Sequence, residues 1–254
     1  INYCYDYRTA LLINYTHRGL LFKNSRLSID LALGDMPRGE ISYFVDRGFI
    51  PTLGIKLSSQ RFRYQRFVNL EAVNQRIFQD YSLDLFIQST LRDAYAIGGG
   101  VQIENVDISQ DYKRADFTDI NKGFINYYAY LDFDSFDDAN FPHSGFRLNA
   151  QYRIIAERIG FETFLAPSSV INLKYEQVIP LSSKLTFIGQ VNGINTIGPG
   201  LDLPFQIYLG SMGQTYANYI ESFVGHRFME LTGRNLLSAR VDINYEIGKN
   251  HFLL

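Results

Sequence analysis

The chain has 254 residues, 46% of them hydrophobic and 20% charged, with a formal net charge of −2 and one cysteine. A pI near 6.1 gives no electrostatic reason to bind nucleic acid or to clamp a membrane surface, and the lone Cys4 excludes an internal disulfide framework and any cysteine-built metal site. Mean hydropathy is −0.11 and no run of about 18 apolar residues exists, which excludes an ordinary transmembrane helix and leaves one large all-β domain or two smaller ones.

Strands are predicted at 2–6, 8–17, 25–34, 39–47, 52–66, 72–91, 94–109, 122–134, 145–157, 168–179, 184–196 and 236–248. Side chains on a strand alternate between faces, and the chain follows that period almost throughout. Leu27, Ile29, Leu31 and Leu33 oppose Arg26, Ser28 and Asp30. Ile125, Tyr127, Ala129, Leu131 and Phe133 oppose Asn126, Tyr128, Tyr130, Asp132 and Asp134. Phe146, Leu148, Ala150, Tyr152 and Ile154 oppose Arg147, Asn149, Gln151 and Arg153. The cleanest case is Ala239, Val241, Ile243, Tyr245 and Ile247 against Arg240, Asp242, Asn244 and Glu246.

A soluble sandwich shows the same alternation, so strand length decides. Sandwich strands run to about 5–6 residues, whereas a tilted strand crossing a bilayer needs roughly 9–11, and many of these segments reach that. The connections near 18–24, 48–51, 91–93, 139–144 and 180–183 are short to moderate; those near 110–121, 158–167 and 197–235 are long. Short turns on one side and long loops on the other are the habit of outer-membrane barrels, although the connections at 35–38 and 67–71 are short on the long-loop side. The expected fold is therefore an all-β, antiparallel transmembrane β-barrel spanning 1–254, with a mixed-charge interior that includes Arg26, Asp30, Arg147, Arg153, Lys174, Glu176, Arg240, Asp242 and Glu246. Tyr and Phe are abundant and Trp is absent, which fits aromatic girdles at the membrane interfaces better than a Trp-lined sugar site.

No catalytic, cofactor or metal site is expected. A Gly-x-Ser-x-Gly elbow is missing, since Gly210-Ser-Met-Gly213 has the wrong spacing. His17, His143, His226 and His251 are scattered, without the pairing that zinc needs. Asp132, Asp134, Asp137 and Asp138 lack the glycine and terminal glutamate of a calcium loop and read as a solvated rim. Gly98-Gly-Gly100 lies inside a strand, so it reads as a kink or close packing rather than a phosphate cradle.

Asn140-Phe-Pro-His-Ser-Gly-Phe146 resembles the Phe-Pro-x-x-Gly turn of the outer-membrane superfamily that includes the BAM insertase barrel and two-partner secretion transporters. Val178-Ile-Pro-Leu181 and Leu203-Pro-Phe-Gln-Ile-Tyr-Leu-Gly210 resemble the approach to that superfamily's long lid loop. The structural positions carried over are Phe141, Pro142, Gly145, Pro204, Phe205, Gly210, Arg227 and Phe228. The stretches Ala10–Phe22, Ser25–Asp35 and Phe223–Asn235 are similar to the C-terminal barrel of bacterial patatin-like phospholipases of the Bacteroidetes type. That resemblance implies a bacterial outer-membrane location and a barrel of about sixteen strands, of which about twelve are present. It also implies a leader with passenger or POTRA domains upstream, and missing last strands.

The implied role is a membrane anchor or translocation unit for a lipase domain outside this segment, with outer-membrane lipids as partners and homodimers or a larger outer-membrane complex as assemblies. A protein insertase or transporter and a passive channel are the alternatives. Insertases carry Val-Arg-Gly-Phe in the lid loop, and Gly225-His226-Arg227-Phe228 keeps the Arg and Phe but not the order; Arg227 is a candidate to anchor the loop inside the barrel through a charge-assisted bond.

Overall fold

The computed structural model describes residues 10–68, 70–91, 94–110, 119–138, 141–157, 167–198, 206–210, 220–223, 225–248 and 251–253. The first ten strands are β1 (Ala10–Arg18), β2 (Ser25–Gly34), β3 (Arg38–Val45), β4 (Thr52–Val68), β5 (Glu71–Leu91), β6 (Tyr95–Gln110), β7 (Ile120–Asp134), β8 (Gly145–Glu157), β9 (Ser168–Pro180) and β10 (Leu185–Ile197). Then come β11 (Ile207–Leu209), β12 (Ile220–Glu221), β13 (Leu231–Gly233), β14 (Asn235–Gly248) and β15 (His251–Leu253). One twelve-stranded sheet runs β1 to β10 in order, then β14 and β15, and every neighbouring pair is antiparallel. β11 to β13 make a separate three-stranded sheet.

The all-β antiparallel expectation holds, and most strand limits fall within two residues of those read from the alternation. Three features differ. The connection 197–235 contains its own small sheet, formed by strands too short to show any period. The β4–β5 ladder runs on to Val68↔Glu71 through a bulge after Arg66, closed by Leu70 at a positive φ of 66°. Residues 251–253, outside the predicted strands, pair with β14. The expected strand 2–6 lies outside the described residues.

Each long strand turns its apolar residues to the outside. Leu53 is 73% exposed and Leu237 82%, and Ile87, Ile97, Leu131, Leu173 and Val241 line the same face. A continuous greasy surface of this size has to be covered by something other than water. On β5 the apolar outer residues run from Leu91 to Tyr81, about the length that crosses a bilayer. Near the turn end an outward row of rings links four strands: Tyr95–Phe133 at 4.3 Å, Phe133–Phe146 at 4.5 Å and Phe146–Tyr175 at 5.9 Å. This is the arrangement of an aromatic girdle at a membrane interface.

Above Tyr81, on the side of the long loops, the alternation changes phase. Outer positions become Ser59, Arg61, Arg63 and Gln79, while Phe62, Tyr64, Phe78, Val106 and Ile108 turn inward and are buried. An outer face that leaves lipid for water is free to turn polar, so the change places the membrane boundary near Tyr81, while the inward rings have another partner, described below.

The glycine pair on β6 serves close packing. Gly100 lies between Phe86 of β5 and Tyr128 of β7 in register, and a Cβ there would fall 2.5 Å from the Leu85 carbonyl oxygen and 2.8 Å from the Tyr128 hydroxyl. At Gly98 the clash would be with the Tyr130 ring, at 2.6–2.7 Å. Both rings therefore cross β6 over bare backbone, and their hydroxyls reach β5. Tyr128 donates to Asp84 at 2.7 and 2.8 Å, and Tyr130 to Gln88 at 2.6 Å. Gly54 makes a third such socket, for Phe86.

The Phe-Pro turn is organised by Asp137. Its Oδ1 accepts the amides of His143 (2.8 Å) and Ser144 (3.1 Å), while Asp138 accepts that of Phe141 (2.9 Å). Slight burial pushes the Asp137 carboxyl up, but these amides outweigh it and hold it below the usual carboxylate range. Gly145 has φ +112°, and a Cβ would strike the Ser135 carbonyl, so no other residue fits without strain. Asp134 and Arg147 close the turn with bonds of 2.7 and 2.9 Å.

Alongside Tyr128→Phe, Gly100→Val should weaken the Tyr128 joint. It overpacks a closed socket, at about 1–3 kcal/mol or more, whereas Tyr128→Phe removes a bond to a carboxylate worth about 1.5–3 kcal/mol. Both should lower the urea midpoint of the folded band on unheated gels; an unchanged midpoint for Gly100→Val contradicts the joint. Gly145→Ala should lower it as well, because it combines backbone strain with a steric clash.

Candidate functional site: the capped interior

The functional element with the most structure is the interior of the curved sheet. A cavity of about 500 Å³ is lined by residues from β3 round to β10, among them Glu40, Lys56, Asp84, Gln88, Arg153 and Asn172. Its walls carry both signs of charge and many amides. Lys56 faces Asp84 in register, Arg153 lies over the Tyr128 ring at 5.9 Å, and Arg38 bonds Glu40 at 2.9 Å. Deeper toward the loop end, Asn126 donates to Glu104 at 2.8 Å and Gln60 to Asp80 at 3.3 Å. Mixed charge of this kind cross-braces a wall; it does not form the single-sign ring of a selectivity filter.

The small sheet roofs the cavity. Ile207 of β11 lines its upper end. The next residue, Tyr208, meets Tyr64 edge-on at 6.3 Å. Phe228 meets Phe62 at 6.0 Å, and Phe62 stacks on Phe78 at 4.9 Å. Met229 is buried in the same cluster with Val106, Ile108, Phe124 and Ile155. Burial pushes the Tyr208 phenol far above its ordinary range, so the hydroxyl stays neutral in an apolar setting. Each such side chain contributes roughly 1.5–3 kcal/mol on burial, offset in part by the entropy of ordering a long loop.

Local chemistry shapes the roof. Gly210 has φ +119° and packs against the Arg227 carbonyl, where a Cβ cannot fit. Glu230 caps the neighbouring turn, accepting the Arg227 amide at 2.7 Å and lying 3.1 Å from His226 Nδ1. Arg234 donates to the Gly198 carbonyl at 2.6 Å, tying the two ends of the segment together.

Among the positions singled out from the sequence, Gly210, Arg227 and Phe228 come together in this roof, while Phe141, Pro142 and Gly145 sit at the opposite end in a turn. Pro204 and Phe205 lie outside the described residues. Phe228 packs half-buried on the cluster; the Arg227 side chain is exposed. The inward residues Phe62, Tyr64 and Phe78 were not singled out, although the switch of apolar residues from odd to even positions within β4 was visible in the sequence. No group of three or more potential metal ligands occurs among the described residues.

Solved structures share this architecture. BamA from Haemophilus ducreyi lacking POTRA domains 1–3 superposes with a TM-score of 0.66 at 12% identity, over 94% of this chain and 53% of that one. CdiB from Acinetobacter baumannii does so with a TM-score of 0.60 at 13% identity, over 94% and 43%. The chain thus spans about half the length of these structures. No curated protein matches its sequence. The family model for the OMP85 superfamily matches residues 1–254, and the chain belongs to that superfamily of outer-membrane β-barrels.

Proposed function

We propose that this barrel is a sealed membrane anchor that holds a patatin-like lipase domain, encoded outside this segment, at the bacterial outer membrane, and that the barrel does no catalysis itself. The observation that carries the sealed character is the roof: Tyr208, Phe228 and Met229 pack on an apolar collar above the membrane boundary. An anchor needs an outer face that lipid accepts and an interior that does not leak; the exposed apolar face and the roof support that reading. The lipase reading is supported by the resemblance of Ala10–Phe22, Ser25–Asp35 and Phe223–Asn235 to the patatin-associated barrels. The complete reading frame tests it: a Gly-x-Ser-x-Gly domain upstream supports the lipase anchor, and several POTRA domains with no such domain overturn it.

The second reading is an insertase or secretion transporter, favoured by the likeness to the BamA and CdiB folds. The lid sequence argues against it, because Gly225-His226-Arg227-Phe228 does not keep the insertase order and Arg227 points to solvent. Depleting the protein should leave the levels of other outer-membrane barrels unchanged under the anchor reading and lower them under the insertase reading.

In planar bilayers the full-length protein should show little steady conductance. The double variant Phe62→Ala/Phe228→Ala removes an edge-to-face ring pair from the collar, at about 3–5 kcal/mol for the buried Phe62 and less for the half-buried Phe228, and should raise the frequency of open events severalfold. Equal, continuous conductance in both proteins contradicts a roof held by this cluster.

A further inference from the structure

Two tyrosines face the lumen instead of the girdle, and the wall beside them carries amide groups without a protein partner. Tyr128 and Tyr130 lie 6.1 Å apart, inclined by 27°, and are fixed over β6 by their hydroxyl bonds to Asp84 and Gln88. Arg153 covers the Tyr128 ring at 5.9 Å. Tyr130 has no cation over its ring among the described residues, and it lines the cavity. Its row continues in register through Gln151 of β8 to Asn172 of β9, and both of these line the cavity too. The next row toward the turns runs Asp132, Asn149, Lys174 and Asn192 on the same inner face. The Asn172 carbonyl oxygen is buried without a hydrogen-bond partner. Asn192 is only 4% exposed, and neither its oxygen nor its nitrogen is satisfied. Buried amides left unpaired are costly and rare in native proteins, so this wall calls for a ligand with donors and acceptors of its own.

We propose that the wall binds a neutral saccharide, which enters from the short-turn end because the roof closes the other. The C–H face of a sugar ring packs on an aromatic face, where the ring quadrupole is negative. Its hydroxyls both donate and accept, which is what a carboxamide offers in return. The cavity of about 500 Å³ lies within the usual size of small-molecule sites, about 300–1,000 Å³. Charge selects against an ion: Lys56 and Arg153 line the same space as Glu40 and Asp84, so a net charge of either sign meets repulsion as well as attraction. The inference concerns the lumen alone and holds whichever domain the anchor carries.

The test is isothermal titration calorimetry of the full-length protein, in a detergent without a sugar headgroup, with maltotriose and triacetylchitotriose as probes. At least one should bind with a dissociation constant on the order of 1 mM or tighter. Asn172→Ala/Asn192→Ala should weaken that binding about tenfold. Tyr130→Leu removes the platform and should abolish it, whereas Tyr130→Phe keeps the ring and should stay within about threefold of wild type. Each variant is first checked for the folded band on unheated gels; should Tyr130→Leu lose that band, the two-asparagine variant decides alone. No heat from either sugar at tens of millimolar means that water alone serves these amides, and it overturns the proposal. Undiminished binding by the two-asparagine variant overturns it too, as does equal binding of an uncharged, end-capped tetra-alanine peptide.

Discussion

The structure depends on one constraint: in lipid every backbone amide and carbonyl must find a partner within the protein, and the outward face must be predominantly apolar. A long antiparallel ladder meets the first demand, and period-two sequence meets the second. This is why Leu53, Ile55 and Leu57 can stand exposed on β4 without any protein covering them. The same constraint explains where it stops. Once the strand leaves the hydrocarbon, water is the outer solvent, and Arg61 and Arg63 replace the leucines while Phe62 and Tyr64 turn inward. Two different cores result: a polar, charge-braced interior inside the membrane span and an apolar collar above it.

The collar gives the lid something to bind. Loops over an ordinary polar barrel mouth have little reason to stay in place. Here Tyr208, Phe228 and Met229 bury against rings supplied by the protruding β4–β5 hairpin. Height, phase reversal and lid docking are thus a single design. The β4–β5 hairpin must be tall to carry the inward aromatics, and β3 need not be, since its ladder to β4 stops at Arg38↔Gln60.

The sheet was legible because its determinants are local. Ser25–Gly34 and Gly145–Glu157 were readable to the residue, since alternation and flanking turn residues agree. The glycine sockets were half legible: Gly98 and Gly100 read as a kink or close packing, and their partners Tyr128 and Tyr130 lie on the next strand and needed the register to be known. The lid sheet was illegible because β11, β12 and β13 span two or three residues each and owe their shape to distant contacts. The collar left a readable trace in the phase change after Leu57. That trace looks like a defect in the pattern until a membrane boundary is drawn through it.

The most direct measurement is a single-cysteine scan along β4 from Leu53 to Val68 in a Cys4→Ser background, with an environment-sensitive fluorophore at each site and a quencher confined to the acyl region. Quenching should alternate with period two, strong at 53, 55 and 57 and weak at 54, 56 and 58, and then vanish at 61, 63 and 65. Strong quenching at the even positions, or no alternation from 53 to 58, would contradict the account.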